Sequence, residues 1–189
     1  MNNPLIRKLE TSPSQKIVII LTGLAAIASV IIFLLMRPVE AALKAASPYG
    51  VMELEFAWTM EQIEQIFGTW TEELITQELT VTYIDYGFLL AYSTFLAGIT
   101  LLIVRKLLSG QIQLVGLYMT IVPFIAALFD AIENLNLILM LSSPSNFPTF
   151  SPFLASFFAT LKFGLLILVL VFWIISLVWF LYQRSSHKS

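Results

Sequence analysis

The chain contains no cysteine and only one histidine, His187, which lies in a polar tail. Without cysteine there are no disulfides, thiol redox reactions, iron–sulfur clusters or cysteine-type zinc sites, and the redox compartment stays open. With its one imidazole in the tail, the apolar part of the chain cannot hold a His-based metal or haem site, nor build a Ser–His–Asp system. Charge is scarce too. Only 12% of the 189 residues are charged, about half of what a soluble domain carries. The few basic residues are scattered and the net charge is −2, so no electrostatic footprint for nucleic acid exists. P-loop, G-x-G-x-x-G, H-E-x-x-H and G-x-S-x-G motifs are missing. No cofactor is indicated.

Apolar residues fill the space: 58% are hydrophobic and the mean hydropathy is +0.88. Four apolar runs are each long enough to cross a bilayer. They are expected at about 17–36, 82–104, 114–141 and 153–182. The first is too long for a signal peptide's apolar region of about 7–15 residues, so it reads as a retained helix. The fold expected is all-α: four antiparallel transmembrane helices forming one membrane domain over 16–184. The flanks are a flexible N-tail, 1–15, and a short tail, 185–189. Pro123 predicts a kink in the third span, and Ser109-Gly110 a tight turn between the second and third.

Residues 38–80 are the one sizeable extramembrane piece, with eight glutamates against Lys44. Most of those acids read as a solvated face. Alternation over Val51–Phe56 predicts a short strand or extended segment. Thr59 with Gln62 three residues on predicts a capped helix ended by Gly68. Thr71 precedes a helical stretch with Glu72 and Glu73 in its first turn, where the helix dipole favours acids.

Arg7, Lys8, Lys16, Arg105, Lys106, Arg184 and Lys188 all fall on one side of a four-span topology. The positive-inside rule then puts both termini in the cytoplasm of an inner or plasma membrane and the 38–80 segment outside.

The apolar runs also contain charges. Lys16 to Arg37, Arg105 back to Asp85, Gln113 to Glu133 and Arg184 back to Lys162 are each about twenty residues apart, the number that crosses about 30 Å of hydrocarbon. Arg37, Asp85, Glu133 and Lys162 are therefore expected at one level, near the outer edge. Asp130, Glu133, Asn134 and Leu137 share one helical face at i, i+3, i+4 and i+7. Ionisable groups at such depth are paired or functional. Asp85, Asp130, Glu133, Asn134 and Lys162 are the candidate ligand-binding residues of an outward-facing polar pocket under the 38–80 cover. Lys162 or Arg37 would be the counter-ion. The cytoplasmic half of every span lacks ionisable groups, which argues against a conduction path.

Glu55-Phe-Ala-Trp-Thr-Met-Glu-Gln62, Ile84-Asp-Tyr-Gly-Phe88 with Tyr92, Asp130-Ala-Ile-Glu-Asn134 and Thr160-Leu-Lys162 resemble, in order, segments of a loose group of four-helix bacterial integral membrane proteins. The resemblance covers about residues 51–182. It implies a site at these residues and no activity. Claudin-like proteins share a long first outer loop, but their cysteine pair is missing here. The function expected is binding of a small ligand, lipid or partner at this outward-facing polar pocket, in a protein embedded in the lipid bilayer, with a membrane-protein partner or homo-oligomer as further possibilities. Two alternatives stand beside it: an enzyme using Asp130 and Glu133 as paired carboxylates on a lipid-soluble substrate, and a structural subunit of a membrane complex.

Overall fold

A computed structural model describes residues 4–186; residues 1–3 and 187–189, His187 among them, lie outside these. Eight helices and no strands are found among the described residues. Four long apolar segments are of membrane-spanning length and composition. The first is α2 (Gln15–Ala46), which follows the short α1 (Pro4–Lys8). Two small helices come next, α3 (Val51–Glu55) and α4 (Met60–Phe67), and then the second long helix, α5 (Glu72–Leu107). The third span is broken into α6 (Gly110–Met119) and α7 (Val122–Ser142), and α8 (Ser151–Ser186) is the fourth. The protein is an all-α, multi-pass membrane protein.

The exposed surface supports that reading. Leu24, Leu35, Ile174 and Val178 are all about 60% exposed, and such residues run the length of α2 and α8. Water would penalise that continuous apolar surface, whereas lipid does not. Helices α5 and α7 form the central pair; α2 packs along α5 and α8 along α7. A Cβ at Gly98 of α5 would collide with the Thr22 side chain of α2. The missing side chain thus sets how closely these helices approach.

Several boundaries follow from local chemistry. Pro123 sits in the first turn of α7, where its missing N–H costs nothing, so the expected kink is a break between two helices. Gly110 opens α6 at φ +64, a left-handed conformation that glycine adopts without penalty. Thr59 and Gln62 form the expected capping box, each side chain accepting the other's backbone N–H at 3.3 Å. Thr71 caps α5 by accepting from the Leu74 N–H.

Three expectations are corrected. Val51–Glu55 is a helix, not a strand. Glu53 accepts the Gly50 N–H at 2.8 Å and Glu40 accepts the Val51 N–H at 3.0 Å, so two orphan donors of the first turn are satisfied. Next, the first long helix does not stop near residue 36 but continues through Pro38 to Ala46. Its far end joins the 51–67 segment in one apolar cluster with Leu43, Leu54, Ile63, Trp70, Leu137 and Met140. Finally, the N-terminal stretch is not loose throughout: α1 buries Ile6 against Val104, Leu108 and Leu117. Arg105 clamps the following turn by donating to the Leu9 and Pro13 carbonyls at 2.7–2.9 Å.

Candidate functional site

The polar residues of the spans gather where α3 closes over one end of the bundle. Asp130, Glu133 and Asn134 of α7 are 4%, 0% and 4% exposed, so their shared face points inward. Lys162 of α8, 6% exposed, reaches across to that face. Its Nζ lies 2.7 Å from Glu133 Oε2, 3.2 Å from Asp130 Oδ1 and 3.6 Å from Glu55 Oε2. One ammonium thus gathers carboxylates from α3 and α7. The Tyr92 hydroxyl of α5 donates to Asp130 Oδ2 at 2.8 Å, which ties the second span into the same group. Asn134 Nδ2 donates to Asp85 Oδ2 at 2.6 Å, so α5 and α7 are joined one turn further along as well. Tyr86 adds a hydrogen bond to the Ala131 carbonyl at 3.1 Å.

All five candidate residues therefore come together, in two groups. Asp130, Glu133 and Lys162 form a buried ion-paired centre. Asp85 and Asn134 form a hydrogen-bonded pair beside it. Lys162 is enclosed, and its charge is met by carboxylates rather than solvent. Arg37 does not join them. It is exposed, and its guanidinium sits over the Phe33 ring, 5.9 Å from the centroid.

Glu55 and Glu78 belong to the site although neither was expected there. The extended segment expected over Val51–Phe56 would send Glu53 and Glu55, two residues apart, to the same side. In a helix those residues lie on nearly opposite sides, so Glu53 caps the helix while Glu55 reaches Lys162. Burial pushes the Glu55 carboxyl above its ordinary range, and the attraction of Lys162 opposes that shift. Glu78 is 2% exposed, and its Oε2 has no hydrogen-bond partner among the described residues. Its signal was present in the sequence: Glu78, Thr82 and Asp85 form an i, i+4, i+7 polar stripe on α5.

That stripe forms one wall of a cavity of about 510 Å³ between α2, α3, α5 and α7. Phe33, Met36, Val81 and Leu137 supply apolar lining; Glu78, Thr82, Asp85 and Asn134 supply polar groups. Asp130, Glu133 and Lys162 do not line it. Because α2 packs along α5 rather than α7, the cavity fills the groove left between α2 and α7. Among the described residues no group of His, Cys, Asp or Glu side chains is arranged to hold a metal ion.

These features define a class: a multi-pass helical membrane protein with a buried ion-paired centre beside an apolar cavity. Comparison with family models, curated proteins and solved structures finds no match to the chain.

Proposed function

We propose that the protein is a non-enzymatic membrane protein that binds a small lipid-soluble ligand in the cavity between α2, α3, α5 and α7. The observation that carries this reading is the cavity itself. Ligand sites are concave and mostly apolar, with a few convergent polar groups, and occupy about 300–1,000 Å³. Asp85 and Asn134, with Glu78 and Thr82, are among its polar contacts. Asp130, Glu133 and Lys162 stand behind the wall and fix the helices that carry it. An enzymatic reading would need Asp130 or Glu133 free to exchange a proton with substrate. Both are instead engaged by Lys162 and do not face the cavity.

The test is native mass spectrometry of protein extracted in lipid particles without detergent. A retained small molecule is expected, and replacing the cavity-wall Val81 by Trp should abolish its retention while the variant stays folded. Equal retention by Val81→Trp would sink the proposal.

We also infer that the end capped by α3 and α4 faces outward, since Arg105 and Lys106 close the opposite end. In a chain without native cysteine, an introduced Glu72→Cys should react with an impermeant maleimide on intact cells and Ser109→Cys only after permeabilisation. The reverse pattern would invert the orientation.

A further inference from the structure

We propose that the ligand of this cavity carries an ammonium group on an apolar tail, and that Glu78 and Asp85 are the counter-ions that select it. This rests on the reading of the cavity as a ligand site and adds the ligand's chemical class.

The charges of the wall carry the inference. Four carboxylates and one guanidinium line the cavity: Glu40, Glu55, Glu78, Asp85 and Arg37. Two of the acids are matched by lysines. Glu40 pairs with Lys44, and Glu55 shares Lys162. Arg37 is turned onto the Phe33 ring. Asp85 has only the neutral carboxamide of Asn134, and Glu78 Oε2 has no hydrogen-bond partner among the described residues. A residue only 2% exposed whose carboxyl keeps one oxygen, Oε2, buried and unsatisfied is costly to the empty protein. A ligand cation would remove that cost.

The geometry suits one. Glu78 and Asp85 are seven residues apart on one face of α5, about 10 Å along the axis. Thr82 lies between them. Its hydroxyl donates to the Glu78 carbonyl at 2.9 Å, which leaves the oxygen lone pairs to accept an N–H. An ammonium has three donors and no acceptor, so it can pair with Glu78 or with Asp85 while donating to Thr82 between them. Phe33, Met36, Val81 and Leu137 provide the apolar surface on which a tail would lie. An anionic head would add charge of the same sign beside Glu78 and Asp85, with only Arg37, turned onto the Phe33 ring, to meet it; a head without a donor would leave Glu78 Oε2 unsatisfied.

The ammonium has two natural sources, a phospholipid whose headgroup ends in an amine and a free lipophilic amine. The experiment separates them. Full-length protein is placed in phosphatidylglycerol nanodiscs and labelled with photoreactive analogues of dodecylamine, dodecanol and dodecanoate, identical except at the head. Labelled residues are mapped by peptide sequencing. The amine is expected to label Met36 and Val81, and the alcohol and carboxylate are not. Glu78→Gln should lower amine labelling by about tenfold, the factor that loss of one charge-assisted hydrogen bond implies. The same variant should raise the melting temperature of the empty protein, which shows that it still folds. Asp85→Asn is the second variant, with reduced labelling expected again.

If the alcohol or carboxylate labels Met36 and Val81 as strongly as the amine, the ammonium assignment is overturned while the binding site stands. If none of the three labels the cavity, both readings fall. Phosphatidylethanolamine nanodiscs that suppress amine labelling identify the lipid as the source. Undiminished labelling identifies the free amine.

Discussion

Lys162 is the residue on which the polar centre depends. Two charges removed from water regain part of the lost hydration only through close pairing, and removing one partner leaves the other stranded. Lys162→Met strands Asp130, Glu133 and Glu55 together. It should cost about 3–5 kcal/mol, measured as a fall in thermal stability, with Glu133→Gln in the same chain restoring part of the loss. An unchanged melting temperature would mean that the centre holds nothing together. Glu55 adds a pH dependence. Its folded carboxyl titrates above the ordinary value of 4.5, so the folded state binds the proton more tightly than the unfolded chain. Its contribution to stability is therefore complete below that ordinary value and is lost as pH rises through the raised one. Glu55→Gln should flatten this part of the stability profile. A variant profile with the slope of the parent's would assign the dependence to other groups.

At the scale of elements, the contact between α2 and α5 has the simplest cause. Gly98 leaves room for Thr22, and α2 has no comparable second neighbour among the long helices. Gly98→Leu should force α2 away and cost about 1–3 kcal/mol, as overpacking does. A cross-link between α2 and α5 should then form more slowly, and an unaltered cross-linking rate would show that α2 is held elsewhere. α3 shows why one element could be misread. Its alternating pattern is a real period of two, but five residues are too few for periodicity to outweigh end chemistry. Glu53 and Glu40 each satisfy an N–H of the first turn, and this decides for helix. Glu40 is eleven residues upstream and reaches Val51 only because α2 continues past Pro38. Capping pairs within three residues, such as Thr59 with Gln62, were readable in the sequence; a cap borrowed from another helix was not.

Taken whole, the molecule places its cap and its spans in one apolar cluster. Leu54, Ile63 and Trp70 pack with Leu137 and Met140 of α7 and Ala155 of α8. The cap should therefore open with the bundle rather than ahead of it. Hydrogen exchange is expected to show the amides of α3 and α4 protected to the level of the adjoining end of α7. Lys162→Met should speed exchange in α3, where Glu55 is anchored, more than in α4. Unprotected α3 and α4 amides in the parent protein would overturn the description of a cap packed as part of the domain.

Four membrane-length helices and the meeting of Asp85, Glu133 and Lys162 at one level were legible along the chain. Hydrophobic run length, a fixed rise per residue and the cost of charge in lipid are local or one-dimensional properties. Packing alone decided that Arg37 stays out of the ion-paired centre, that Glu55 joins it and Glu78 enters the cavity wall, and that Asp130, Glu133 and Lys162 stand behind the cavity rather than in its wall. Those outcomes depend on how each helix is rotated about its axis and on which helix lies beside it. Rotation and neighbour choice are set by side chains distant in sequence, such as Gly98 against Thr22 and Tyr92 against Asp130.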